Sequence, residues 1–217
     1  MSGVRHQVND TVLTAYAAGE LPEAFNLVVA SHVSLCDEAR VRLETLEAVG
    51  GSLLDTMETE EMSYGSFEAT MRLISERPKE AIKTRQAAKP CAVFPQPLVD
   101  YVGGSLNSVD WRPLGMGCKQ SILKSSGEAN VRLLYIPAGA ELPDHGHKGI
   151  EMTLVLKGAF IDGTERFARG DIEVADEHLE HTPIADIGDD CICLAATDAP
   201  LKFNKLLPRI AQPFLRI

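Results

Sequence analysis

The chain has 217 residues, 45% of them hydrophobic and 24% charged, enough for one large domain or two small ones with a core that needs no disulfides. No apolar run approaches the ~20 residues that span a bilayer, and Met1-Ser2-Gly3-Val4-Arg5-His6 lacks a signal-peptide stretch; the expectation is a cytoplasmic protein with no membrane contact. The net charge of −10 is uneven: residues 1–75 hold four Arg, no Lys and twelve acidic residues, which disfavours direct DNA binding there and suits either a basic protein partner or plain solubility.

The first third reads as helical. Asn9 or Asp10 caps a helix through Val12, Leu13, Tyr16 and Ala17, with Gly19 as its stop. Pro22 suits the first turn of a second, longer helix. Its apolar positions Leu27, Val28, Leu35, Leu43, Leu46 and Val49 continue to Gly50-Gly51. A third helix starts near Ser63 or Ser66 and covers Phe67, Met71, Leu73 and Ile74.

Residues 76–97 change character. They carry four prolines and five basic against two acidic residues, which predicts an extended linker. After Leu98 the pattern switches to short strands: Cys118–Lys124, Val131–Ile136, Met152–Leu156, Ala159–Asp162, Ile172–Ala175 and Cys191–Ala196. Gly and Pro punctuate them, as in a β-sandwich or barrel. The fold class is therefore α + β in two domains. Residues 1–75 form a unit of three to four helices, 76–97 the linker, and 98–217 the β domain.

The most informative stretch runs from Gly139 to Glu151. His145 and His147 lie two apart, so on extended chain both imidazoles reach one point. Glu151 opens the next apolar run and offers a carboxylate, and His181 stands in a later strand region. Three imidazoles and a carboxylate suit zinc, iron, manganese, nickel or copper, and do not suit calcium. The plainer alternative, His residues on exposed loops or in ordinary core hydrogen bonds, fits a lone His better than this set. Gly139, His145, His147, Glu151 and Gly158 resemble the first cupin motif; Gly170-Asp171 and His181 partly meet the second. The resemblance implies a small antiparallel jelly-roll barrel with its metal inside. His178, three residues before His181, reads as a surface residue.

A second group is His6, His32 and Cys36. His32 and Cys36 are four apart on a predicted helix and share a face. A closed zinc site takes four ligands, and one turn beyond Cys36 stands Ala39. Asp37, Glu38, a water or a partner residue are the open alternatives for a fourth ligand. A free thiol at Cys36 and a core His32 are the alternative to any site. The five cysteines are odd in number and form no disulfide framework. Cys191 and Cys193, alternating on one strand, read as buried filling.

His6, then Leu13-Thr14-Ala15-Tyr16-Ala17-Ala18-Gly19, then His32-Val33-Ser34-Leu35-Cys36 resembles the zinc-binding anti-sigma domain. With the cupin half behind it, the whole chain is similar to the ChrR family of anti-sigma factors. Asp144-His145-Gly146-His147, Glu180-His181-Thr182-Pro183 and Cys191-Ile192-Cys193 carry that similarity onward. The resemblance implies that the helical domain binds an extracytoplasmic-function sigma factor. It implies that the cupin domain serves the response to singlet oxygen or organic peroxide, and that each domain holds one Zn2+. The implied ligands are His6, His32 and Cys36 in the first, and His145, His147, Glu151 and His181 in the second. Ala39 departs from the family, which has a second cysteine there. A metal-dependent cupin oxygenase and a small-molecule-binding cupin are the rival functions. The helical module has no evident enzymatic role, which favours a regulator over an enzyme.

Overall fold

The computed structural model describes residues 3–76 and 92–203. Five α-helices are seen: α1 (Asp10–Ala17), α2 (Glu23–Leu35), α3 (Asp37–Asp55), α4 (Ser66–Glu76) and α5 (Gln96–Val102). Asn9 caps α1, its side chain accepting from the Val12 amide at 2.9 Å.

The single long helix expected from Pro22 to Gly50-Gly51 is two helices. The chain turns extended at Cys36, whose φ is −122° and ψ 106°. Cys36 Sγ then accepts the Ala39 amide at 3.4 Å and serves as the N-cap of α3. Periodicity ran through the break because a cap by sulfur carries no Ser, Thr, Asp or Asn signal. Gly50 and Gly51 do not stop α3, which continues over both.

Most of the 76–97 stretch lies outside the described residues. Its last residues are packed: Phe94 is fully buried, and α5 begins at Gln96, inside the expected linker. A helix start with Pro97 in its first turn explains the proline without an open tether.

The described residues from 112 to 203 form twelve strands: β1 (Arg112–Gly115), β2 (Cys118–Leu123), β3 (Asn130–Ile136), β4 (His145–Gly146), β5 (Glu151–Lys157), β6 (Ala159–Asp162), β7 (Glu165–Ala168), β8 (Ile172–Ala175), β9 (Glu180–His181), β10 (Ile184–Ala185), β11 (Cys191–Thr197) and β12 (Lys202–Phe203). The main sheet has the order β1-β2-β3-β11-β5-β8. Two three-stranded sheets, β10-β6-β7 and β12-β4-β9, accompany it, and every pairing is antiparallel. At the β5–β6 corner Gly158 has φ +69°, and a Cβ there would lie 2.5 Å from the Asp190 carbonyl oxygen, so only glycine fits.

The central strands β5 and β11 of the main sheet, and most of β3, are buried on both faces, which explains their nearly unbroken apolar runs. Val131, Leu133, Met152, Leu154, Leu156, Ile192, Leu194 and Ala196 face the helices and share one core with Leu13, Phe25, Val28 and Val29. The alternate residues face the barrel interior. That interior is apolar at one end, where Val155, Phe160, Phe167, Cys191 and Cys193 pack together. It is polar at the other, where Arg132, Ala195, Thr153 and Glu173 lie opposite one another across four strands.

Leu194 is fully buried at the seam between helices and sheet. Leu194→Ala is expected to lower the unfolding free energy by about 2–5 kcal/mol, through lost transfer energy plus a cavity. Denaturant unfolding of the full chain measures it. A loss under about 1 kcal/mol means that this seam does not hold the fold.

Candidate metal centre

The two short strands β4 and β9 bring the imidazoles together. Their register sets His145 opposite His181, and His147 lies two residues beyond His145 on the same side. All three rings are buried. His181 Nε2 is 3.1 Å from His145 Nε2 and 3.1 Å from His147 Nε2.

The partners of the outer nitrogens fix the tautomers. His145 Nδ1 lies 2.8 Å from the Pro143 carbonyl oxygen, and His181 Nδ1 lies 3.0 Å from Asp162 Oδ2. Both partners only accept, so each Nδ1 carries the proton and donates it. Both Nε2 atoms are then bare lone pairs, facing each other at 3.1 Å. Two acceptors at that distance repel unless a cation lies between them. A proton is a poor candidate, because burial pushes His147 and His181 below the ordinary imidazole range. For His181 the neighbouring His145 adds to that fall. His147 Nδ1 is buried and has no hydrogen-bond partner. Facing lone pairs plus an orphaned ring nitrogen fit a soft or borderline divalent metal.

Glu151 stands beside this cluster. Its Oε2 is 3.9 Å from His147 Nδ1, and its Oε1 accepts the Thr153 hydroxyl at 3.1 Å. Among the described residues one group of mutually close ligand atoms is that of His145, His147 and His181, without Glu151. Arg132, buried and donating to Gln120 at 3.1 Å, is the interior cation whose charge Glu151 balances.

Two acids behind His181 were not singled out in the sequence. Asp162 and Glu173 form a second close group with His181 Nδ1, Glu173 Oε2 lying 3.9 Å away. Burial, then the charge of Asp162, pushes Glu173 up to about 8. Glu173 therefore holds a proton at neutral pH, and the pair presents a single carboxylate charge to His181. A carboxylate on the outer nitrogen of a metal-binding histidine fixes its ring and raises its basicity. The available signal was Glu173 alone among apolar residues in Ile172-Glu173-Val174-Ala175. His178 is exposed, as expected for a surface residue.

The N-terminal residues are placed differently. His32 is wholly buried; its Nδ1 donates to the Gly170 carbonyl at 2.9 Å, and its Nε2 has no partner. That orphaned nitrogen fits a ligand role. Cys36 is buried, with its sulfur on the Ala39 amide. His6 stacks against Phe167 with ring centroids 4.3 Å apart, and its Nε2 is 3.7 Å from Glu165. Among the described residues His6, His32 and Cys36 are not gathered as the barrel histidines are, and Ala39, fully buried, brings no donor side chain.

Cys191 and Cys193 are buried with sulfurs 3.5 Å apart and no disulfide. Their mutual hydrogen bond, together with burial, holds the Cys193 thiol well above its usual range, so Cys193 rests as a thiol within the core. No helix among the described residues is long and apolar enough to cross a membrane.

Residues 101–200 match the family described as the ChrR Cupin-like domain. The anti-sigma-E factor ChrR of Cereibacter sphaeroides is 56% identical over 214 residues, 99% of either chain. The crystal structure of Rhodobacter sphaeroides SigE in complex with the anti-sigma ChrR contains a chain 54% identical to this one. That match has a TM-score of 0.77 and covers 89% of this chain and 99% of the other. With identity of this size along its whole length, the chain belongs to the ChrR family of anti-sigma factors.

Proposed function

We infer that this protein is an anti-sigma factor that sequesters an extracytoplasmic-function sigma factor, and that it is a regulator with no catalytic turnover of its own. The relative that matches it end to end is an anti-sigma factor, and the solved relative was captured with a sigma factor. The observation on this chain that carries the reading is α4. Phe67, Met71 and Ile74 recur at positions i, i+4 and i+7, one stripe of the helix. Not one residue of α4 is buried. A helix with an apolar stripe and no cover among the described residues has the form of a segment that docks in a partner's groove.

The barrel is the sensing half of this reading, with Zn2+ at His145, His147 and His181 and Glu151 beside them. A bound divalent cation would supply the positive charge that the facing lone pairs of His145 and His181 lack, with His147 beside them. The protein's own part is to hold the rings: Pro143 orients His145, and Asp162 with Glu173 orients His181. Singlet oxygen or organic peroxide is the signal that weakens the grip on sigma. His32 and Cys36, with His6, are the candidate ligands of a second zinc in the helical half, lacking the cysteine that Ala39 replaces.

The test is co-expression of the full chain with a sigma factor of this class. A stable complex that keeps sigma from core RNA polymerase is the expected result. Folded, zinc-loaded protein that leaves sigma free to bind polymerase rejects the reading.

A further inference from the structure

Beside the apolar core that the helices share with the main sheet, one short turn of the barrel makes polar contacts with the helical half. Asp171 is buried, yet its carboxylate points out of the β domain to the N-terminal arm. Its Oδ1 accepts the Arg5 amide at 2.6 Å and the His6 amide at 3.0 Å, while Oδ2 accepts the Ala168 amide at 2.8 Å. The next residue, Ile172, donates its amide to the His6 carbonyl at 3.0 Å. The preceding residue, Gly170, accepts from His32 Nδ1 at 2.9 Å. Gly170 has φ +92°, and a Cβ on it would lie 2.7 Å from Val4 Cγ2. Three consecutive residues thus set His6 and His32, the two imidazoles of the helical half considered as ligands.

The following residue on the same strand is Glu173, which faces His181 together with Asp162. Two covalent steps therefore separate the carboxylate that holds the arm from the acid that backs a barrel histidine. The segment has little freedom to move at one end alone, because Val155 brackets it. The Val155 amide donates to the Asp171 carbonyl at 3.0 Å, and the Gly170 amide donates to the Val155 carbonyl at 2.9 Å.

We propose that Gly170-Asp171-Ile172 is the coupling element of the molecule, with Asp171 as its positioning residue. It ties the state of the barrel histidine cluster to the seating of the N-terminal arm and of His32 against the helices. Linkage makes the coupling reciprocal: what loosens the cluster loosens the arm, and what frees the arm weakens the cluster. This deepens the sensing role described above and rests on it for the metal.

Two measurements on the full chain test it. Hydrogen exchange of the Arg5, His6 and Ile172 amides is followed with zinc bound and after chelation. Zinc affinity of the barrel is measured by competition in the wild type, in Asp171→Ala, and in Arg5→Pro, which removes one arm donor from an exposed position outside the barrel histidine cluster. The expected result is arm exchange at least about tenfold faster without zinc, and barrel affinity about tenfold weaker in both variants, as a charge-assisted hydrogen bond commonly carries that much. Unchanged arm exchange on zinc removal, or unchanged zinc affinity in Arg5→Pro, overturns the coupling. Should the wild type take up no zinc, the metal reading fails by itself. Arm exchange in Asp162→Asn then decides the coupling: faster supports it, unchanged overturns it.

Discussion

Replacing His181 by alanine is expected to remove metal from the barrel altogether. The substitution takes away the one ring whose Nε2 lies 3.1 Å from both other histidines. It also leaves Asp162 and the protonated Glu173 facing a void in place of a ring N–H. Losing only an outer hydrogen-bond partner of a metal ligand costs roughly 10–100-fold in affinity; losing the ligand itself costs more. The stranded acids add a desolvation penalty of about 1–3 kcal/mol to the fold. Zinc content after dialysis, and a competition titration, read the first effect; denaturant unfolding reads the second. His178→Ala, exposed and three residues away, is the matched control and should retain full zinc. Full zinc in His181→Ala would remove the histidine cluster as the binding site.

The second large effect is expected at α4. Phe67→Glu with Ile74→Glu puts two charges on the apolar stripe, at positions 69% and 63% exposed. Apolar anchors at a buried interface commonly cost about 2 kcal/mol or more each when lost. The pair should therefore weaken sigma binding by about 10³-fold. Stability of the free protein should stay within about 0.5 kcal/mol of wild type, because exposed side chains contribute little to the fold. The two readouts separate a docking face from a hidden core. Wild-type affinity in the double variant would move the sigma contact off α4. A large loss of stability would mean that α4 packs against the chain itself.

Some of this architecture was plain in the residues. Six of the strands were expected within a residue or so of where they lie, because their β-branched and aliphatic runs sit between glycine and proline turns. The other six were not: β4, β9, β10 and β12 are two residues long and carry no period, and β1 and β7 are four-residue strands with little apolar content. The break at Cys36 escaped for a different reason: the apolar face of α2 and α3 keeps its helical spacing across a cap made by a thiol. Phe94 and α5 were hidden by their prolines, which mark both linkers and helix starts.

The candidate site divides in the same way. The pair His145 and His147 was legible because strand alternation is a local rule. That His181 meets them depends on β4 pairing with β9, a contact across 36 residues. Asp162 and Glu173 had no signal as a pair, since they come together only when β6 and β8 face one ring. Nor did the sequence foretell the contacts of His6, whose ring lies by Phe167 and whose amide donates to Asp171.

The sequence by itself determined the donor types, the two-part α and β composition and the family, because side-chain chemistry and short-range period are properties of the chain. The tertiary structure alone decided which nitrogens face one another, which acids stand behind them, and that the helical half packs on the main sheet with its N-terminal arm tied to the Gly170-Asp171-Ile172 turn. Those depend on strand register and on the burial of both sheet faces, and no local pattern encodes a distance between residues far apart in the chain.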